Sequence, residues 1–288
     1  MPRTSQRQPA QVAIVGAGTL ASALARALHS NGYQITEIVS REDPRSLQRA
    51  RALAKEVAAA ATTMERAELS APIVWICVPD DAIATVADRI VEGRKWREKV
   101  AVHSSGALSS DALAALQEKG AEIASAHPLM TFIRSSKAIF GGVPFAIEGT
   151  EKAARAVTRI VRNLEASPFQ IGKEEKPAYH AFGFFSSPAI VAVITAAQHV
   201  GELAGLDAKR ARELMEPIVR QTIDNCFRTS PEQAFSGPVR RGDVETVRKH
   251  VQVLRPHSEL LTLYRALVRI ALKDLPSSRT QELQKIVE

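Results

Sequence analysis

Cysteine is nearly missing from this 288-residue chain: only Cys77 and Cys226 are present, far apart and outside any zinc or redox spacing. Their scarcity excludes a disulfide scaffold, a metal finger and a dithiol centre, and no metal-ligand motif replaces them. A reducing cytoplasm suits such a composition, with both thiols expected to be buried. No continuous twenty-residue apolar run is present, so no membrane partner is expected. The run QVAIVGAG that follows MPRTSQRQPA is too brief and too glycine-rich for a signal-peptide core, and residues 1–9 are read as a tail.

Acidic residues are the minority charge, 31 against 38 Lys and Arg, for a net charge of +7. An excess of this sign permits an anionic partner, and nucleic acid is the first to weigh. The distribution argues against it. Basic residues are interspersed with Glu and Asp in DAKRARELMEP and TEKAARAVTRIVRNLEA and are not gathered with aromatics into a binding stripe. Solvated helix faces account for most of the charge. With 45% hydrophobic and 24% charged residues, the chain has the balance of a soluble globular protein with a sizeable core.

The first half alternates short apolar runs with helical stretches, the pattern of parallel βαβ units. Val12 to Val15 reads as a strand, ASALARALHS as a helix ending at Asn31-Gly32, and Ile35 to Val39 as a second strand. Pro44 to Ala61 reads as a helix with Pro in its first turn. IVWICV, after Pro72, fits a central strand covered on both faces. Strands follow at Val100 to Val102, near Ile123, and at Phe145 to Ile147 and Phe169 to Ile171. Beyond Lys176 only helical stretches appear, broken at Gly205-Leu206-Asp207, Ser230-Pro231 and Leu254-Arg255-Pro256. The expected fold is α/β: a Rossmann-type, mainly parallel sheet over residues 10–174, then an all-helical C-terminal domain over 175–288.

Gly16-Ala17-Gly18-Thr19-Leu20-Ala21 joins the first strand to the first helix, the context in which G-x-G-x-x-G/A binds a dinucleotide. Gly16 makes the tight turn, Gly18 lets backbone approach a pyrophosphate, and Ala21 permits close helix-strand packing. Free N–H groups at the helix start, with Thr19 and Leu20 in its first turn, then meet the diphosphate. An acidic residue at the second strand tip selects NAD; here the tip is Val39-Ser40-Arg41, whose hydroxyl and guanidinium suit a 2′-phosphate. NADP(H) is therefore preferred over NAD(H). Glu37 also lies about twenty residues past the glycine turn, but is placed inside the strand.

An ordered series of motifs, VAIVGAGTLASAL, IVSR, VWICVPDDAI, VHSSGALSSDAL, ASAHPLMTF, KPAYHAFGFFSS and SGPVRRGDVETVRKH, spans nearly the whole chain. It resembles the proteins that join a Rossmann-like NAD(P)-binding domain to the helical domain of unknown function 2520. These are similar to deazaflavin-linked NADP oxidoreductases, pyrroline-5-carboxylate reductases and the 6-phosphogluconate dehydrogenase superfamily. The resemblance implies a nicotinamide-dependent oxidoreductase with a helical second domain that often mediates dimerisation, hence a homodimer acting on a small molecule.

Ligands of open parallel sheets lie beyond the carboxyl ends of the strands. Val78-Pro79-Asp80 and Ser104-Ser105 are expected there against the cofactor, with helix capping as the plainer role for Ser105. His127, before Pro128, is a candidate substrate contact or a loop histidine satisfied by backbone. Lys176, His180, Gly183 and Ser187 follow at helical spacing, so one face carries all four. Relatives in the wider superfamily place a catalytic lysine on this helix, and Lys176 with His180 looks like the corresponding pair, either able to donate or accept the proton that accompanies hydride transfer. A solvated lysine and an interface histidine are the structural alternative. Pro188 stands where relatives carry Asn, which removes an amide able to orient substrate and bends the helix. Arg241, in GPVRRGD, is a candidate clamp for an anionic substrate, with Asp243 capping the next helix. Two functions from different classes follow: hydride transfer to or from a small carbonyl or imine, and NADP(H) sensing without turnover.

Overall fold

A computed structural model describes residues 10–132 and 140–288. Two compact units make up the chain, the first ending at Pro188 and the second running Ala189–Glu288.

The first unit begins with β1 (Gln11–Val15), α1 (Thr19–Ser30), β2 (Gln34–Ser40), α2 (Pro44–Glu56) and β3 (Ala60–Thr63). β4 (Ile73–Ile76), α3 (Ile83–Val91), β5 (Val100–His103), α4 (Ala114–Glu118) and β6 (Glu122–Pro128) repeat the alternation. β7 (Pro144–Gly149), α5 (Glu151–Asn163), β8 (Ser167–Gln170) and α6 (Lys176–Ser186) complete it. Among the described residues the strands form one eight-stranded sheet in the order β3-β2-β1-β4-β5-β6-β7-β8. β1 to β6 run parallel; β7 is antiparallel to β6, and β8 is parallel to β7.

The sequence dictates this layering. Ile14 and Trp75 point to one face with Leu24, Leu28, Val157 and Ile160 of the amphipathic helices α1 and α5. Ala13, Val15, Val74 and Ile76 point to the other, against Ile83, Val86 and Ile90 of α3. Both faces are covered, so the central strands are apolar throughout. Strand order reverses between β1 and β4, which opens a crevice at their carboxyl ends.

Two expectations are corrected. The helix read over Pro44 to Ala61 stops at Glu56, and the following Ala60–Thr63 pairs with β2 as an edge strand. Its alanines carry helix propensity, and pairing with β2 overrides it. Ser187 leaves the helix that carries Lys176, His180 and Gly183: its φ of −142° and ψ of −74° end α6, and Pro188 opens the next helix. The first compact unit takes in α6 and extends to Pro188, and Lys176 and Tyr179 of α6 are buried. By length and composition alone, Lys176–Leu203, which takes in both α6 and α7, is apolar enough to cross a membrane, with a mean hydropathy of 1.5 over its best window, and this is weak evidence for a membrane partner. The scattered polar residues hide this run from a search for unbroken apolar sequence.

The second unit is helical: α7 (Pro188–Leu203), α8 (Ala208–Arg228), α9 (Pro231–Ala234), α10 (Pro238–Arg241), α11 (Val244–Leu254), α12 (Ser258–Asp274) and α13 (Thr280–Val287). Asp207 caps α8 through the amide of Arg210, and Asp243 caps α11 through that of Thr246. Val244, Val247, Val268, Leu283 and Val287 form its small core.

Candidate active site

The turn after β1 is built around Gly16. Its φ is +124°, and a Cβ there would lie 2.2 Å from the Cys77 carbonyl oxygen, so only glycine fits between β1 and the end of β4. Gly18 caps α1 with φ −79°, and a Cβ there would meet nothing within 4 Å. No acidic residue stands in the first turn of α1 and no side chain caps it, so the amides around Thr19 and Leu20 remain available to an anion. These residues fit a pyrophosphate.

Glu37 lies inside β2, as its position in the sequence implies. Its carboxylate accepts from the amides of Glu68 at 3.0 Å and Leu69 at 2.7 Å, which commits it to the loop beyond β3. At the strand tip Ser40 is buried and its hydroxyl donates to the Arg41 carbonyl at 3.0 Å. The Arg41 guanidinium is exposed, 3.6 Å from Asp43, and reaches Ser46 Oγ at 3.5 Å. Arg49, absent from the sequence reading, reaches the same hydroxyl at 3.3 Å. Its spacing of three from Ser46 on a helix starting at Pro44 was the available signal.

Beyond β4 and β5 the polar groups bond mostly to one another. Val78 and Pro79 lead from β4 to Asp80, whose carboxylate accepts from Ser105 Oγ at 2.7 Å. That serine oxygen in turn accepts from the amides of Ala107 and Leu108, the capping role, and Ser104 Oγ accepts from Trp75 Nε1 at 2.8 Å. His103 is fully buried, takes the Ser105 amide on Nδ1 and donates from Nε2 to the Ser109 carbonyl at 2.9 Å. Burial pushes it down to about 4, so it is a neutral brace.

Lys176 is also fully buried. Its ammonium donates to Ser125 Oγ at 2.7 Å and to the Ser105 carbonyl at 3.1 Å, and burial lowers its pKa while Glu148 and Asp80 oppose the fall. His180, one turn on, is exposed. His127 lies within β6, not past it, and its Nδ1 is 2.9 Å from the hydroxyl of Tyr179, a residue the sequence reading missed although it shares α6 with Lys176 at a spacing of three. His127 and His180 converge on Gly106: a Cβ there would lie 2.9 Å from His180 Cδ2 and 3.0 Å from both Cδ2 and Cε1 of His127. Gly106, Ser105, His127, Lys176, Tyr179 and His180 thus gather at one end of the sheet. Arg241 ends α10 in the second unit, where it is exposed beside Gly242.

Residues 143–270 match the family described as domain of unknown function (DUF2520), and residues 11–105 match that described as NADP oxidoreductase, coenzyme F420-dependent. Both agree with the resemblance carried by the motifs. Among curated proteins there is no match. Protein TM1727 from Thermotoga maritima is 27% identical, with 95% of this chain and 98% of that chain covered and a TM-score of 0.72. BF3122 from Bacteroides fragilis, a candidate NADP oxidoreductase, is 24% identical over 91% of this chain and 97% of its own, with a TM-score of 0.75. An imine reductase from Myxococcus stipitatus in complex with NADP+ shares 16% identity over 96% of this chain and 100% of its own, with a TM-score of 0.67. The NADP oxidoreductase match supports a nicotinamide cofactor and an oxidoreductase of that broad class.

Proposed function

We propose that the protein is an NADP(H)-dependent oxidoreductase that transfers hydride to or from a small carbonyl or imine compound. The observation that carries this reading is the turn at Gly16 and Gly18, where a close-packed glycine and an uncapped helix start provide a diphosphate cradle. Ser40 and Arg41 form the end of the neighbouring strand, with Arg49 adding a second guanidinium near Ser46; this arrangement suits a 2′-phosphate. When bound, NADPH supplies the hydride at its nicotinamide ring.

The chain itself must handle a proton. Lys176 keeps its ammonium on Ser105 and Ser125, behind the strand ends, so its part is a fixed positive charge. His180 is exposed and next to Gly106, and is assigned the exchange of the proton with substrate and solvent. His127 is the candidate substrate contact on the facing strand. Val78, Pro79 and Asp80 frame the crevice side, and Ser187 completes the candidate substrate set of the first unit.

The second copy of the chain is the proposed partner. α7 has no buried residue, and Ile190, Val191, Val193, Ile218, Ile223 and Phe227 of α7 and α8 are exposed. So large an apolar face calls for cover, and a homodimer covers it by symmetry. Light scattering is expected to give twice the chain mass, reduced by Ile218→Lys with Phe227→Lys; a monomeric wild-type chain that partitions into lipid vesicles would replace the homodimer by a membrane surface. Free Cys77 and Cys226 suit a cytoplasmic setting.

Fluorescence titration tests the cofactor: NADPH is expected to bind more tightly than NADH. Absorbance of the nicotinamide band with a panel of imines, aldehydes and 2-oxoacids tests turnover. The buried ammonium of Lys176 favours a second reading, an NADP(H) sensor, and binding of NADPH without oxidation across the panel would support it. Failure to bind either coenzyme overturns both readings.

A further inference from the structure

We infer that Tyr179 is a positioning residue that holds His127 in the tautomer with its proton on Nε2, making His127 a neutral hydrogen-bond donor to a carbonyl or carboxylate oxygen of the substrate. The word substrate here rests on the oxidoreductase reading above; the tautomer does not.

The Tyr179 hydroxyl has one proton, and among the described residues its polar partner is His127 Nδ1, at 2.9 Å. Tyr179 is 9% exposed and burial lifts its phenol to about 12, so the proton stays on oxygen. Were Nδ1 protonated, it would donate to the phenol oxygen and leave the buried O–H without an acceptor, an unsatisfied donor that folding penalises. The opposite arrangement satisfies both atoms: O–H donates and Nδ1 accepts. His127 itself is held down to about 4 by burial, by the Lys176 ammonium and by His180, with Asp80 opposing, so the ring is neutral. A neutral ring that accepts at Nδ1 carries its proton at Nε2.

The position of Nε2 gives that proton a use. The two carbons that flank it, Cδ2 and Cε1, stand equally near the point where a side chain at Gly106 would begin, and nearer than Nε2 itself, so the ring turns its face to the Gly106 backbone beyond β5 and Nε2 lies to the side of that contact. His180 approaches the same point. Strand ends on this side of a parallel sheet are where ligands sit; His127 is half-buried, the missing side chain at 106 leaves its ring face uncovered, and among the described residues its hydrogen-bond partner is on Nδ1, not Nε2. An oxygen lone pair can accept from Nε2–H. A protonated iminium has no lone pair and presents its own N–H, so this donor selects against it and for a carbonyl or carboxylate oxygen beside the reacting carbon.

Nitrogen NMR of isotope-labelled histidine in the full-length protein, with His127→Ala used to identify the signals, separates the two tautomers at neutral pH. The expected result is a bare Nδ1 and a protonated Nε2 at His127, and a mixture of tautomers in Tyr179→Phe. A protonated Nδ1 in the wild type, or a tautomer untouched by Tyr179→Phe, overturns the proposal. On a carbonyl substrate, Tyr179→Phe is expected to lower kcat about five- to tenfold with the KM for NADPH unchanged, and His127→Gln, which keeps an N–H donor near Nε2, is expected to retain more activity than His127→Ala. Equal loss in the two His127 variants overturns the donor role. A chain that shows the expected tautomers yet oxidises NADPH with no compound would refute the oxidoreductase reading alone.

Discussion

Glu37 and Leu69 are joined by a 2.7 Å hydrogen bond from the Leu69 amide to the Glu37 carboxylate, and the Glu68 amide donates to the other oxygen of the same group. An acid about twenty residues past the glycine turn is thereby occupied as a loop clamp. Glu37→Gln replaces one acceptor by an N–H donor facing a backbone N–H, and is expected to cost about 2 kcal/mol of stability. Chemical denaturation measures it. The preference for NADPH over NADH should be unchanged; a swing toward either coenzyme would return Glu37 to the ribose.

Gly16 and Gly18 separate folding from binding. Gly16→Ala drives a methyl into the Cys77 carbonyl in a left-handed backbone and is expected to cost about 3 kcal/mol. Gly18→Ala meets open space at negative φ, so stability should move by no more than about 0.5 kcal/mol while NADPH affinity falls roughly tenfold or more as the methyl crowds the diphosphate. Thermal melts with and without NADPH read both effects, and a Gly18→Ala protein that binds NADPH normally would remove the cradle.

Arg41 and Arg49 converge on Ser46 at the first turn of α2. Arg41→Ala is expected to weaken NADPH about tenfold and NADH little, and Arg49→Ala to act in the same direction less strongly. The salt dependence of NADPH binding should fall in step. Parallel losses for both coenzymes would show that the arginines contact the shared adenosine and not the 2′-phosphate.

His103 and His127 set an acid limit on stability. Both have folded pKa values near 4, below the 6.5 of a free imidazole, so the unfolded chain binds more protons between those values. Stability therefore falls as pH drops from about 6.5 to about 4, by up to roughly 1.4 kcal/mol per pH unit for each group, and these two add no further loss below that window. Urea unfolding across this range measures the slope. His103→Gln is expected to lower stability at neutral pH yet flatten the slope; an unchanged slope would mean that His103 is already charged in the folded protein.

The βαβ opening was legible because its apolar runs, its glycine turn and its Asn31-Gly32 stop all agree, and the first unit follows that pattern. β3 was hidden since Ala60 and Ala61 become strand only by pairing with β2. The site was half legible. Gly16, Gly18 and Arg41 carry local signals, and the helical spacing of Lys176 and His180 placed them together. Ser104 and Ser105 stand at strand tips, as their place in the sequence implies, but their bonds to Trp75 and Asp80 join residues distant in the chain and could not be read from it. Tyr179 was passed over as one aromatic among many, for its partner lies 52 positions earlier. Such a pairing is created by the sheet and leaves no periodic trace in the chain.

One hydrogen atom at position 106 separates two imidazoles from a collision. Any larger group there must turn a ring aside, so Gly106 lets His127 and His180 approach one and the same point. A sequence change meant to enlarge the crevice has to begin with the rings themselves, because position 106 is already as small as a residue can be.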